Sequence, residues 1–129
     1  MQLNQVTLPA LDVAKSVAFY QGLGLRLIVN ALPRYARFEC ADGGATFSLH
    51  HVERLAEPPA TVVYFECEDV DSKVRDLQAS GYTFTQDPKD EAWLWREARL
   101  IDPSGNELCL YHAGENRLYP PWRVKDDEP

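Results

Sequence analysis

Rings, carboxylates and hydroxyls recur at every second position in several stretches of this chain. Tyr64 follows Val62 and precedes Glu66; Trp93, Trp95, Glu97 and Arg99 form a second set; Glu107, Cys109 and Tyr111 form a third. Tyr35, Arg37 and Glu39, and Thr46, Ser48 and His50, repeat the pattern earlier in the chain. A period of two is that of a β-strand, so each set shares one face of a sheet. Rings supply stacking area and attract cations over their faces, and a few polar groups fix orientation. Such a wall suits a flat or cationic small organic molecule. The same residues are open to acid–base work, with Glu66 or His50 as general base and Arg99 or Tyr111 stabilising developing negative charge. Plainer roles compete: Trp93 and Trp95 burying area, Arg37 and Arg99 pairing with Glu39 and Glu97, and His50 as a hydrogen-bonded rim side chain.

The elements that must position these residues are legible from turns and periodicity. In Leu100–His112, Asp102, Pro103 and Gly105 suit the first, second and fourth positions of a type I turn, and Leu108 and Leu110 then alternate with Glu107, Cys109 and Tyr111. An earlier stretch, Ala41–His51, is a comparable hairpin over Asp42-Gly43-Gly44, followed by alternating Phe47 and Leu49. In order, the chain reads as a strand over Leu3–Pro9, then a helix capped by Asp12, striped by Val13, Val17 and Tyr20 and ended by Gly22 and Gly24. Strands follow over Leu25–Asn30 and Tyr35–Cys40, before the first hairpin.

Ala56–Ala60, with two prolines, reads as a linker. Beyond it the order repeats. Thr61–Cys67 is a strand, Asp69 caps a helix striped by Val70, Val74 and Leu77 and closed by Gly81, and Tyr82–Thr85 and Leu94–Ile101 are strands leading into the last hairpin. Asp12 and Asp69, Val13 and Val70, Val17 and Val74, and Tyr20 and Leu77 are each 57 positions apart. Two βαβββ modules result, at 1–58 and 59–112, with a tail at 113–129 holding Tyr119-Pro-Pro-Trp122. Each module is too small to bury its own sheet face, so the modules are expected to pair within a chain or across a homodimer. The helix-packing faces are Val63, Phe65 and Cys67, then Leu94, Ala98 and Leu100, Phe47 and Leu49, and Leu108 and Leu110.

Composition narrows the function classes. The chain has 129 residues, a formal net charge of −7 and a pI near 4.9, which argue against a nucleic-acid partner. No apolar run approaches the ~20 residues of a membrane span, and no signal-peptide pattern starts at Met1; no membrane role and a cytoplasmic location are expected. Three cysteines, Cys40, Cys67 and Cys109, lie in strand-like contexts and read as reduced thiols.

Asp12-Val-Ala-Lys-Ser-Val-Ala-Phe-Tyr20 with Leu23-Gly24, then Glu68-Asp-Val-Asp71 running to Gly81, then Asp102-Pro-Ser-Gly-Asn106, resemble the vicinal oxygen chelate superfamily. That group includes glyoxalase I, bleomycin-resistance proteins and extradiol dioxygenases. The resemblance covers residues 1–112 and implies an α+β fold of two tandem βαβββ modules, with curled mixed sheets forming a cup-shaped cavity, commonly in a dimer. It also implies that metal ligands, in the members that use them, fall at Gln5, Ser48, Val62 and Cys109. Val62 has no lone pair, and Ser48 is a poor ligand for the usual divalent ions, so no metal and no cofactor are expected. The Trp95-Arg96-Glu97 approach to the Asp102-Pro103 turn is similar to the metal-free bleomycin-resistance branch.

The leading expectation is therefore a binding protein for a small organic ligand, held without a metal by Tyr35, Arg37, Ser48, His50, Tyr64, Glu66, Trp93, Trp95, Arg99, Cys109 and Tyr111. The alternatives are a cofactor-free enzyme using Glu66 or His50, a metal-dependent lyase, isomerase or dioxygenase with a displaced divalent site near His50, Glu66 and Tyr111, and a protein-interaction module that uses the aromatic tail.

Overall fold

The computed structural model of the protein describes residues 1–57 and 61–125. The linker reading at Pro58, Pro59 and Ala60, and the charged end at 126–129, lie outside the described residues. The elements run β1 (Gln5–Ala10), α1 (Val13–Leu23), β2 (Arg26–Ala31), β3 (Tyr35–Glu39), β4 (Thr46–His51), β5 (Val62–Glu66), α2 (Val70–Ala79), β6 (Phe84–Asp90), β7 (Arg96–Ile101) and β8 (Glu107–His112), ending in a 3₁₀ turn at Gly114–Asn116. The strands form two four-stranded sheets with one shared topology, β1-β4-β3-β2 and β5-β8-β7-β6. The α+β fold of repeated βαβββ order is thus present. The chain divides into two compact units, Met1–Val62 with Ile101–Glu107, and Val63–Leu100 with Leu108–Pro129.

Both helices start for the same local reason. Asp12 and Asp69 hold nearly identical extended backbone (φ −134° and −129°), and their carboxylates accept from Lys15 N at 3.1 Å and Ser72 N at 3.0 Å. Each thereby satisfies an otherwise orphaned N–H at the helix start. Gly24, at φ 108°, ends α1 in the left-handed conformation that a side chain resists, whereas Gly22 lies inside the helix.

In the first unit, β1 and β4 pair in parallel and β4, β3 and β2 antiparallel. Helix α1 lays Val13, Ser16, Val17, Tyr20 and Leu23 on this sheet, over Leu8, Ala36, Phe38, Phe47 and Leu49, all buried. Tyr20, Phe38 and Phe47 form a ring cluster with centroids 4.7–6.1 Å apart. Burial of such rings dominates the stability of a small core.

The turn at 102–106 closes this unit. The Asp102 carboxylate, 4% exposed, accepts from Tyr20 Oη at 2.7 Å, Ser104 N at 2.9 Å, Asn106 N at 2.8 Å and Asn106 Nδ2 at 2.9 Å. Asn106 Nδ2 also donates to the Pro9 carbonyl at 2.8 Å, and Ser104 Oγ accepts from Leu11 N at 2.8 Å. Gly105 N donates to the Asp102 carbonyl at 3.0 Å, as the turn reading requires.

In the second unit, α2 buries Val70, Val74 and Leu77, with Val70 and Val74 clustered with Ala98 and flanked by Cys67 and Phe84. Two strand readings need correction here. β6 extends to Asp90 through Pro88, because it is the edge of its sheet and its register shifts between Gln86 and Lys89, where no ladder N–H is required of the proline. β7 begins only at Arg96: Leu94 has φ 69° and is 48% exposed, so it belongs to a turn and not to the helix-packing face. Leu3, also read as strand, is exposed ahead of β1.

Tyr20→Phe deprives the buried Asp102 carboxylate of one donor and is expected to lower unfolding free energy by roughly 1–3 kcal/mol, and Phe38→Ala by about 3–5 kcal/mol. Urea midpoints at constant slope measure both, and an unchanged midpoint in Tyr20→Phe would remove the carboxylate from its role in holding the turn.

Candidate binding site

The rings of the second unit converge. Trp95 stacks on Tyr111, with centroids 4.7 Å apart and planes at 22°, and Tyr64 meets both edge-on at 6.1 and 5.6 Å. Tyr111 is 6% exposed beneath this arrangement, while Tyr64 and Trp93 are each 44% exposed and open to a ligand. Trp95, held in the turn before β7, donates from its indole nitrogen to the Asn116 carbonyl at 3.4 Å.

Glu97 lies at the base of this face. It is 1% exposed, and such a carboxylate needs partners. Trp93 Nε1 donates to its Oε2 at 2.6 Å and Arg99 Nη2 to its Oε1 at 3.0 Å. The same Arg99 nitrogen reaches Tyr64 Oη at 3.3 Å, and the guanidinium sits 5.7 Å from the Tyr64 ring centroid. Arg99 thus stays firmly charged: burial works against its charge, and Glu97 and Tyr64 outweigh that. The chain Trp93–Glu97–Arg99–Tyr64 fixes both exposed rings from below.

Glu66 has another task. Its Oε2 accepts from Ala113 N at 2.8 Å and Gly114 N at 2.9 Å, and His112 Nδ1 and Arg117 Nε lie at 3.8 and 3.7 Å. Partial burial pushes its carboxyl up, but these two N–H groups, with His112 and Arg117, outweigh burial and hold it below its usual value. A carboxylate fastened this way anchors the segment after β8; a general base near neutrality needs the opposite shift. His112 Nδ1 also lies 3.1 Å from the Cys67 carbonyl.

In the first unit Tyr35, Arg37, Ser48 and His50 share one face of the sheet, with Tyr35 opposite His50 and Arg37 opposite Ser48. Tyr35 Oη accepts from Arg37 Nε at 2.9 Å, and Ser48, fully buried, shares a 2.8 Å hydrogen bond with Thr7. His50 is exposed. A separate concavity of about 930 Å³, lined by Leu11, Glu53–Glu57, Ser104 and Gly105, contains none of the candidate residues.

The four positions where metal-dependent relatives place their ligands do not fit a divalent ion here. Gln5 Oε1 accepts from Thr46 Oγ1 at 2.8 Å, Ser48 is engaged with Thr7, Val62 offers hydrocarbon, and Cys109 is a fully buried thiol. Among the described residues no three His, Cys, Asp or Glu side chains are grouped as a metal requires. All three cysteines are free thiols, and burial pushes those of Cys40 and Cys67 up.

Sequence reading missed the fastening of α2. Arg96 grips Asp71 with Nε and Nη2 at 3.0 and 2.9 Å and reaches Asp90 at 2.9 Å, a pairing that depends on which strand lies beside the helix. No helix among the described residues is long and apolar enough to cross a membrane.

A family model described as the Glyoxalase/Bleomycin resistance protein/Dioxygenase superfamily matches residues 2–110. An uncharacterized protein of Mycolicibacterium smegmatis is 31% identical over 111 residues, 85% of this chain and 92% of that protein. A glyoxalase/bleomycin resistance protein/dioxygenase from Nocardioides superposes with a TM-score of 0.75 at 26% identity, over 97% of this chain and 90% of its own. A bleomycin-binding protein solved with bleomycin superposes at 0.72 and 19% identity, over 88% and 99%, a likeness of fold.

Glu66 supplies a pH test. Its lowered pKa means that it stabilises the fold fully above its ordinary value of 4.5 and loses that contribution as pH falls through the folded value. Glu66→Gln is therefore expected to melt lower than the parent at about pH 7, with the gap closing toward about pH 3. Melting curves across that range measure it, and a gap independent of pH would contradict the ionic anchoring of Ala113 and Gly114.

Proposed function

The chain belongs to the Glyoxalase/Bleomycin resistance protein/Dioxygenase superfamily, and from that premise we propose that it binds a small, flat organic ligand on the ring face of its second unit without a metal. The observation that carries this reading is the pair of exposed rings, Tyr64 and Trp93, fixed from below through Arg99 and the buried Glu97. Rigid rings already ordered before binding lose little freedom when a flat molecule stacks on them. A solved relative of this fold holds bleomycin, which supports binding as a role the architecture serves.

The charge pattern favours stacking over cation capture. Glu97 is balanced by Arg99, and Glu66 is occupied by backbone donors with Arg117 beside it. The face is therefore less acidic than its residue types imply, and neutral fused rings are its best ligands. The side chains at Gln5, Ser48, Val62 and Cys109 support independence from a metal, and cytoplasmic location and homodimer assembly complete the proposal.

The experiment is a ligand-detected NMR screen of fused-ring compounds, neutral and cationic, in excess EDTA. Neutral fused rings are expected to bind, with Tyr64→Ala and Trp93→Ala each weakening them roughly tenfold while leaving the melting temperature close to the parent's. Affinity unchanged in both variants would remove the ligand from this face, and affinity abolished by EDTA would overturn metal independence.

A further inference from the structure

We propose that the first unit carries a site built from its own residues, in which Arg37, with Tyr35 and Thr7 beside it, binds an oxyanion, the carboxylate or phosphate group of a small molecule. The proposal uses residues of the first unit alone and does not rest on the ring face of the second.

Register brings the groups together. Thr7 pairs with Ser48 and Ser48 with Arg37, so a hydroxyl, a hydroxyl and a guanidinium occupy one rung across β1, β4 and β3. Tyr35 stands one rung further along β3, and its oxygen receives the Arg37 Nε–H at 2.9 Å. Ser48, between Thr7 and Arg37 in register, shares a 2.8 Å hydrogen bond with Thr7. Its hydroxyl is fully buried and held by Thr7, so it braces the rung and does not itself face solvent.

The guanidinium gives the cluster its chemistry, because it only donates. Arg37 Nε is committed to Tyr35, which leaves the Nη1 and Nη2 edge, the edge that meets a carboxylate or phosphate with two parallel hydrogen bonds. That edge offers donors alone, and the group that matches it is an acceptor with negative charge.

The local charge agrees. Arg37 is half-buried, and among the described residues no carboxylate lies within ion-pair distance of it. Glu39, two residues on along the same face, stands opposite Thr46 and lies 3.7 Å from Arg26 on β2. The residue opposite Tyr35 is His50, which is no carboxylate. The Tyr35 phenol is held below its usual value, lowered by the neighbouring Ser48 hydroxyl and by Arg37 against slight burial.

The test is a titration of the ¹⁵N-labelled full-length protein with sodium benzoate and, separately, inorganic phosphate, each against sodium chloride at equal ionic strength and against neutral benzamide. At least one anion is expected to shift Arg37 Nε–H and the Ser48 amide saturably, and which of the two saturates distinguishes a carboxylate from a phosphate ligand. Arg37→Gln is expected to weaken that binding at least about tenfold, with Arg37→Lys recovering only part because a point charge lacks the two-pronged edge. Thr7→Val, an exposed change at the end of the row, is expected to weaken it a few-fold and serves if Arg37→Gln fails to fold. Shifts that match sodium chloride, an equal response to benzamide, or affinity untouched by Arg37→Gln and Thr7→Val would overturn the site. Because the Tyr64→Ala and Trp93→Ala variants leave this rung intact, its failure and that of the ring face are separable.

Discussion

A buried carboxylate fixes the first unit. Asp102 collects a phenol, two backbone N–H groups and a side-chain amide, and through Asn106 and Ser104 the same turn fastens to the backbone at Pro9 and Leu11. An ion so little exposed is tolerated only when its lone pairs are filled, which makes the arrangement all-or-none: Tyr20 must stand on the inner face of α1, and the turn must follow β7 without slippage. Burial leaves Tyr20 firmly protonated, and Asp102 beside it pushes the phenol further in that direction, so the donor is never lost in the ordinary pH range. The position of α1, the approach of β1 and the start of β8 all depend on this cluster.

The candidate faces rest on the same logic at lower cost. Glu97 is buried because Trp93 and Arg99 meet it, and meeting it orients the two rings that a ligand can reach. Glu66 and Glu97, which share ligand-facing parity in the sequence, both accept hydrogen bonds from the folded chain's own donors. Ring surface in the second unit and the guanidinium edge of Arg37 in the first are two chemistries that call for different ligands.

Much of the fold was legible because its signals are local. Asp12 and Asp69 act within three residues, the 57-position repeat needs only comparison of the chain with itself, and the Asp102-Pro-Ser-Gly turn carries its own geometry. The site was legible in membership and not in role. Parity placed Tyr64, Trp95 and Tyr111 together, yet nothing local says that Tyr111 lies buried under Trp95 or that Leu94 turns outward at positive φ. Glu66 reads as a cleft carboxylate until Ala113 and Gly114, 47 and 48 residues away, arrive to occupy it. The strand through Pro88 was hidden for a related reason: only its edge position makes a proline acceptable there.

The measurement that bears most directly on a metal-independent ring face is the metal content of protein purified without chelator or affinity-tag metal, by elemental analysis against protein concentration. Background metal in protein that binds fused-ring ligands at full stoichiometry is the expected result. About one transition-metal ion per chain, with ligand binding lost when the ion is stripped and restored when it is returned, would contradict it.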